Sequence, residues 1–365
     1  MIDPKCFSKE WINQKIEELG YPDKNLLEKT IHAFALLDML AHSGCPFKFK
    51  GGSCIMLLLK DMPHRLSIDI DVICPVGTNI EDYLTEYKAH GFIDYRLVER
   101  RQRGTEIPKS HSKFFYQVAF KDNDTGYILL DVLYEDCHYQ QVEQLPVEHL
   151  LIKNIGTPAL VEVPSIGDIL GDKLTAYAPD TTGIPYLKKD KPATLEIIKQ
   201  LFDVGHLFDH VTDLSVTRNA FSKIAPVELS YRGLNPNDLH AIYDDIRNTS
   251  LNITTRGLVD KEKFELLLKG IKSITSFMYR QKYHLEEAII DASKAAYLST
   301  LLECGINEVR HFNNNPAALV DMNIGRILPT KLNKLRMGNP EAFFYWALTD
   351  ELLQSQSQSA GLIEM

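Results

Sequence analysis

Two short stretches hold the residue types that phosphate and metal chemistry need: Lys50-Gly51-Gly52-Ser53 and, soon after it, Arg65-Leu66-Ser67-Ile68-Asp69-Ile70-Asp71-Val72. Glycines let a backbone approach a phosphate closely, and the exposed N–H groups of such a turn, with a serine hydroxyl beside them, suit triphosphate oxygens. Asp69 and Asp71 alternate with apolar neighbours. On a strand, both carboxylates then project from one face while Ile68, Ile70 and Val72 point to the other. Two carboxylates held together repel each other unless a cation lies between them. Mg²⁺ or Mn²⁺ is the cation expected, because a hard divalent ion takes a few carboxylates and completes its shell with substrate phosphates.

Either stretch alone has a plain structural explanation, as a turn or as the solvated face of a strand. Joined in this order by a segment that reads as a helix, Cys54 to Lys60, they resemble the signature of nucleotidyltransferases with the DNA polymerase beta-like fold. Two later stretches narrow the resemblance: Gly171-Asp172-Lys173-Leu174-Thr175-Ala176 and Lys199-Gln200-Leu201-Phe202-Asp203. With them, the chain resembles the AbiEii/AbiGii toxin family of bacterial nucleotidyltransferases over roughly residues 30–210. The resemblance implies that Gly51, Gly52, Ser53 and Arg65 bind nucleotide, that Asp69 and Asp71 are catalytic and hold metal, and that Lys173 and Asp203 complete the catalytic set. It departs from the family pattern after the third motif, where Ala178-Pro179-Asp180 stands in place of an arginine. Lys188, Lys189 and Lys191 in the following loop are candidates for that charge.

A third carboxylate is a candidate on other grounds. Asp131 sits within the apolar run Ile128-Leu129-Leu130-Asp131-Val132-Leu133, and an unpaired carboxylate in such a run is costly. It therefore either faces a cation as a third metal ligand or ends its strand against backbone N–H groups. The segment from Arg96 to Lys113 holds Arg96, Arg100, Arg101, Arg103, Lys109 and Lys113 against Glu99 and Glu106. It reads as a solvated loop or as a surface for RNA or triphosphate.

Composition sets the outer limits. The 365 residues, 44% hydrophobic and 24% charged, suffice for two cores, and a net charge of −9 excludes general polyanion binding while leaving room for a local basic groove. Six cysteines, at positions 6, 45, 54, 74, 137 and 304, form no Cys-x-x-Cys pair, which favours reduced thiols and a cytoplasmic location. No run of eighteen apolar residues occurs and the N-terminal segment carries no signal-peptide pattern, so no membrane association is expected.

Helical spacing of apolar residues predicts helices over 9–19 and 24–43, the second with a stripe of Leu26, Ile31, Phe34, Leu37 and Leu40. Phe47 to Lys50 reads as a strand, 80–90 as a helix, and 93–99 as a strand. Residues 113–120 and 127–134 read as a hairpin about Asp122 to Gly126. A helix is expected after Ser165 as N-cap, then a proline- and lysine-bearing loop over 179–192, then helices over 195–209, 261–282 and 285–304.

The expected fold is thus α/β (α+β): a polymerase beta-like nucleotidyltransferase domain with a mixed sheet over 1–210 (core about 30–180), a mainly helical domain over 211–353, and a disordered tail over 354–365, where Gln and Ser alternate. The expected activity is metal-dependent transfer of a nucleoside monophosphate from an NTP to an acceptor. The acceptor is tRNA or another RNA, in a toxin–antitoxin or phage-defence setting with a cognate antitoxin. The alternatives are an acceptor that is a small molecule or a protein side chain, or a nucleotide-binding module without turnover. Lys173 and Asp203 are expected to leave the apolar sides of their helices, Lys173 reaching the cleft, where replacement cuts turnover and leaves the melting temperature nearly unchanged.

Overall fold

The computed structural model describes residues 1–20, 23–60, 65–100, 107–278 and 282–363, and the chain divides into two compact units. The first comprises Met1–Ser165 with Ser276–Lys282; the second comprises Ile166–Thr275 with Tyr283–Met365. The division falls at Ser165, well before the border near 210 expected from pattern.

In the first unit, α1 (Lys9–Leu19) starts where the Ser8 hydroxyl accepts from the Trp11 N–H, and α2 (Lys24–His42) starts where Asp23 accepts from the N–H groups of Asn25 and Leu26. Both spans agree with the apolar periodicity. Leu27, Ile31, Phe34, Leu37 and Leu40 of α2 are almost wholly buried. Next come β1 (Lys48–Lys50), α3 (Gly51–Leu58) and β2 (Ile70–Cys74). The helix expected over 80–90 is instead two 3₁₀ turns, Ile80–Tyr83 and Tyr87–His90. Leu84 breaks the first, and Gly91 closes the second in the left-handed region. Strands β3 (Asp94–Arg100), β4 (Lys109–Gln117) and β5 (Thr125–Tyr134) follow, then the two-stranded ribbon of β6 (Val142–Pro146) and β7 (Leu160–Pro164).

The main sheet runs β1-β2-β5-β4-β3. It is mixed: β2 and β5 are parallel and the other pairs antiparallel. Alternation decides its two faces. Ile70, Val72, Ile128, Leu130, Val132, Ser110, Ser112, Phe114 and Tyr116 are buried, and α2 packs against β2 and β5. The intervening residues Asp71, Asp131, His111 and Lys113 remain partly exposed. Of the basic segment expected as a loop, residues 101–106 lie outside the described residues, while Arg96, Lys109 and Lys113 are strand residues.

The second unit opens with α4 (Ile166–Ala176), immediately after Ser165, followed by a small ribbon of β8 (Leu187–Lys188) and β9 (Lys191–Pro192). The rest is helical: α5 (Thr194–Phe208), α6 (Ser215–Tyr231), α7 (Leu239–Thr254), α8 (Lys261–Ile274), α9 (Leu285–Glu303), α10 (Leu335–Gly338) and α11 (Pro340–Ile363). The expected helix over 261–282 stops at Ile274 and passes into a 3₁₀ turn. Helix α11 runs through the Gln354–Ser359 tract, in contrast to the disorder expected of its polar composition. Its first turns are anchored by buried Phe343, Tyr345 and Trp346, and propagating an existing helix costs far less than nucleating one.

Asp350 of α11 organises the loop before it, because its buried carboxylate accepts the backbone N–H groups of Gly325, Arg326, Ile327 and Leu328 at 3.0, 2.9, 2.8 and 2.6 Å. Burial alone would raise its pKa; the four donors outweigh that and hold it below the usual carboxylate value. The stabilisation is therefore present at neutral pH and lost as pH falls through the depressed folded value. Asp350→Asn is expected to lower stability by about 2 kcal/mol at neutral pH. The gap from wild type should narrow below about pH 4, and thermal melts across that range measure it.

Candidate active site

The first motif is shaped by two glycines that cannot be replaced without moving a functional side chain. Gly51 opens α3 with φ +79°, and a Cβ there would lie 2.1 Å from Asp71 Oδ2. The Asp71 carboxylate thus rests directly on the Gly51 backbone. At Gly52 a Cβ would stand 2.7 Å from Arg65 Nη2 and 2.8 Å from Ser67 Oγ, so the buried Arg65 guanidinium lies against this glycine. Arg65 also donates through Nη1 to the Leu66 carbonyl at 3.1 Å. The helix expected to start at Cys54 therefore includes the whole Gly-Gly-Ser stretch, whose N–H groups form its first turn.

Ser53 ties the two halves of the motif together. It is buried, and its hydroxyl donates to the Asp69 carbonyl at 2.6 Å. Asp69 precedes the first residue of β2, so the strand alternation expected to align it with Asp71 begins only after it. Asp71 lies within β2, and register sets its neighbours: Lys50 across the antiparallel edge and Asp131 across the parallel one. Asp131 is mid-strand, which removes the strand-end reading of this residue. On its other side it pairs with His111 of β4, and His111 Nδ1 shares a hydrogen bond with Asp131 Oδ1.

Lys50, Asp71, Asp131 and His111 therefore form one row across four strands, on the face opposite α2. His111 was missed from sequence because β4 was read as starting at Lys113. With the strand extended to Lys109, the alternation of buried Ser110 and Ser112 puts His111 on the face of Asp131.

The donor chemistry fits a hard divalent ion. Asp71 and Asp131 are partly exposed carboxylates side by side, and the missing side chain at Gly51 leaves room at Asp71. Among the described residues no group of three His, Cys, Asp or Glu side chains is gathered as a metal site.

The third and fourth motifs belong to the second unit, where they form a buried ion pair. Lys173 of α4 is 6% exposed and Asp203 of α5 is 0% exposed, with Lys173 Nζ 2.9 Å from Asp203 Oδ2 and 3.0 Å from Gln200 Oε1. The expectation that both leave the apolar sides of their helices is corrected: each is buried on the face where α4 meets α5. Neighbouring His206 is stacked on Phe202 with ring centroids 3.8 Å apart, a packing role.

A glycine turn feeding a helix, beside a strand carboxylate whose parallel neighbour bears a second, is suited to handling phosphate groups. The family profile described as nucleotidyl transferase AbiEii toxin, type IV toxin–antitoxin system, matches residues 35–283, and the chain belongs to this family of nucleotidyltransferase toxins. Among solved structures, the chain is similar to the nucleotidyltransferase toxin MenT4 from Mycobacterium tuberculosis H37Rv, with 11% identity, 80% of this chain and 89% of that chain covered, and a TM-score of 0.48. It is also similar to JHP933 from Helicobacter pylori, with 12% identity, 76% and 94% covered, and a TM-score of 0.42. A comparison with curated proteins gives no match. No helix among the described residues is long and apolar enough to cross a membrane.

The buried pair has a direct consequence for stability. Lys173→Ala removes the cation that faces the buried Asp203 carboxylate and is expected to cost about 3–5 kcal/mol. That is far more than the near-neutral change expected of a surface lysine. The Lys173→Ala/Asp203→Ala double variant should recover part of the loss, because the two deletions are not additive when the partners touch. Denaturant unfolding of the two single variants and the double variant measures both effects.

Proposed function

We propose that this chain transfers a nucleoside monophosphate from an NTP to an RNA acceptor, tRNA being the acceptor class, with Mg²⁺ or Mn²⁺ as cofactor. The observation that carries the reading is the register of β2 against β5, which sets Asp71 beside Asp131 with Asp71 resting on the glycine turn. The turn at Gly51-Gly52 and the first N–H groups of α3 receive the triphosphate, Ser53 ties that turn to Asp69 through its hydroxyl, and Arg65 supports the turn from behind Gly52. Asp69, Asp71 and Asp131 are the metal-holding and catalytic carboxylates of the proposal. A bound divalent ion would neutralise the charge that develops on the transferred phosphate and aid in-line attack. His111 fixes the orientation of Asp131 through the hydrogen bond they share. For Lys173 and Asp203 the proposed role is a positioning pair in which Asp203 fixes the direction of the lysine.

An RNA acceptor is favoured over a small molecule or protein side chain by the cations of the same sheet face. Lys109 and Lys113 alternate with buried Ser110 and Ser112 on β4, and Arg96 pairs with Lys113 in register and lies over the Phe115 ring at 5.0 Å. The reading places the activity in the cytoplasm, where NTP and tRNA are found, under the control of a cognate antitoxin and in the service of phage defence.

The test is incubation with Mg²⁺ or Mn²⁺, each labelled NTP in turn, and total tRNA, protein or small acceptors. Label is expected on RNA with one preferred NTP, and a chelator is expected to stop it. Asp71→Asn should lower transfer by about a hundredfold or more with the fold intact, and Asp69→Asn should behave likewise. Undiminished transfer in the double variant would remove these carboxylates from the reaction, and label on protein instead of RNA would overturn the acceptor.

A further inference from the structure

The second unit carries a groove of about 940 Å³ that no part of the proposed reaction uses. It is bounded by the end of α7, the start of α8, the first turn of α9 and the 3₁₀ turn Thr330–Lys334 with α10. Its surface is mainly apolar, with Leu258, Phe264 and Leu335 among the lining residues. Leu258 is 58% exposed, and Met337, beside the lining residue Gly338, is 91% exposed. Exposed aliphatic side chains around an apolar trough are costly unless something covers them.

Charge narrows what that is. Four cations line the groove, Arg256, Lys261, Lys331 and Lys334, against the two carboxylates Glu265 and Glu286, and Arg256 already pairs with Glu286 at 2.6 Å. A cationic rim stands out on a chain whose net charge is −9. Lys261 occupies the first position of α8, next to the N-cap Asp260.

We propose that this groove docks an acidic amphipathic helix of a partner protein, with its leucine-type side chains on the apolar floor and its carboxylates toward Lys261, Lys331 and Lys334. Helix-in-groove recognition requires an apolar trough with charged edges. Single-stranded RNA, by contrast, requires aromatic faces for base stacking, and among the described residues Phe264 is the sole aromatic one lining the groove.

The experiment is fluorescence anisotropy on the full chain. The probe is a labelled model peptide of about five helical turns, with leucine at i, i+3, i+4 and i+7 and glutamate at most other positions. Saturable binding is expected, weakening as salt rises. The Lys331→Glu/Lys334→Glu variant and, separately, Leu258→Asp should each weaken it by about tenfold, with melting curves showing that both variants are folded. These substitutions lie outside the proposed catalytic residues, so nucleotide transfer should be unchanged. The proposal is overturned if the acidic peptide does not bind saturably, or if the variants bind it as well as wild type. It is overturned equally if a lysine-for-glutamate peptide, a single-stranded RNA or an anionic vesicle is the probe that binds at this groove.

Discussion

Asp71 and Asp131 stand next to each other on parallel strands, and two neighbouring carboxylates raise each other's energy unless something positive is near. The surrounding structure answers that repulsion locally. Lys50 is the register partner of Asp71, and His111 shares a hydrogen bond with Asp131. Gly51 is the residue that makes the arrangement sterically possible, because a side chain at this position would occupy the space of the Asp71 carboxylate. Its φ of +79° is a backbone conformation that glycine adopts without strain. One residue thus satisfies two requirements, a left-handed start to α3 and the space that the Asp71 carboxylate occupies. A strand-turn-helix of this shape is a built feature for the same reason.

The opposite face of the sheet makes this polar row affordable in structural terms. Alternation along β2, β4 and β5 sends every second residue to a dry interface with α2, and that burial fixes the register. A slip of one residue would carry Asp71 and Asp131 into the core and Val72 and Val132 out of it. The polar row is positioned by the apolar one.

How far the sequence revealed this depends on whether the governing interactions are local. The spans of α1, α2 and α9 follow from apolar periodicity because a helix reports its buried face every three or four residues. The family was legible as a resemblance carried by the motifs around Ser53, Asp71, Lys173 and Asp203, and the mixed sheet was what that resemblance implied. The parallel pairing of β2 with β5 was not, because the two strands are far apart in sequence and nothing in either names its neighbour. His111 remained hidden for the same reason: its significance lies in the strand beside it. The failure at 80–90 had a different origin. The apolar spacing there fits a helix, yet Leu84 and Gly91 leave helical geometry and the segment closes as two 3₁₀ turns.

Lys173 and Asp203 show most clearly what amphipathic reasoning omits. A charged residue on a helix is assigned to solvent because burying a lone charge costs several kcal/mol, and that argument holds only for a lone charge. Here two helices bring opposite charges within 2.9 Å, and Gln200 adds a hydrogen bond. Such a pair is seldom the most stable solution, since well-packed apolar residues of similar volume often do as well or better. Stability therefore does not explain the choice of residue types between α4 and α5. What the pair does provide is a lysine with a fixed direction, held by an acid that is itself fully buried. A surface lysine on a flexible stem would lose much of its effect to conformational entropy and solvent screening. On the function proposed above, the pair between α4 and α5 maintains a positioned cation rather than adding to the core.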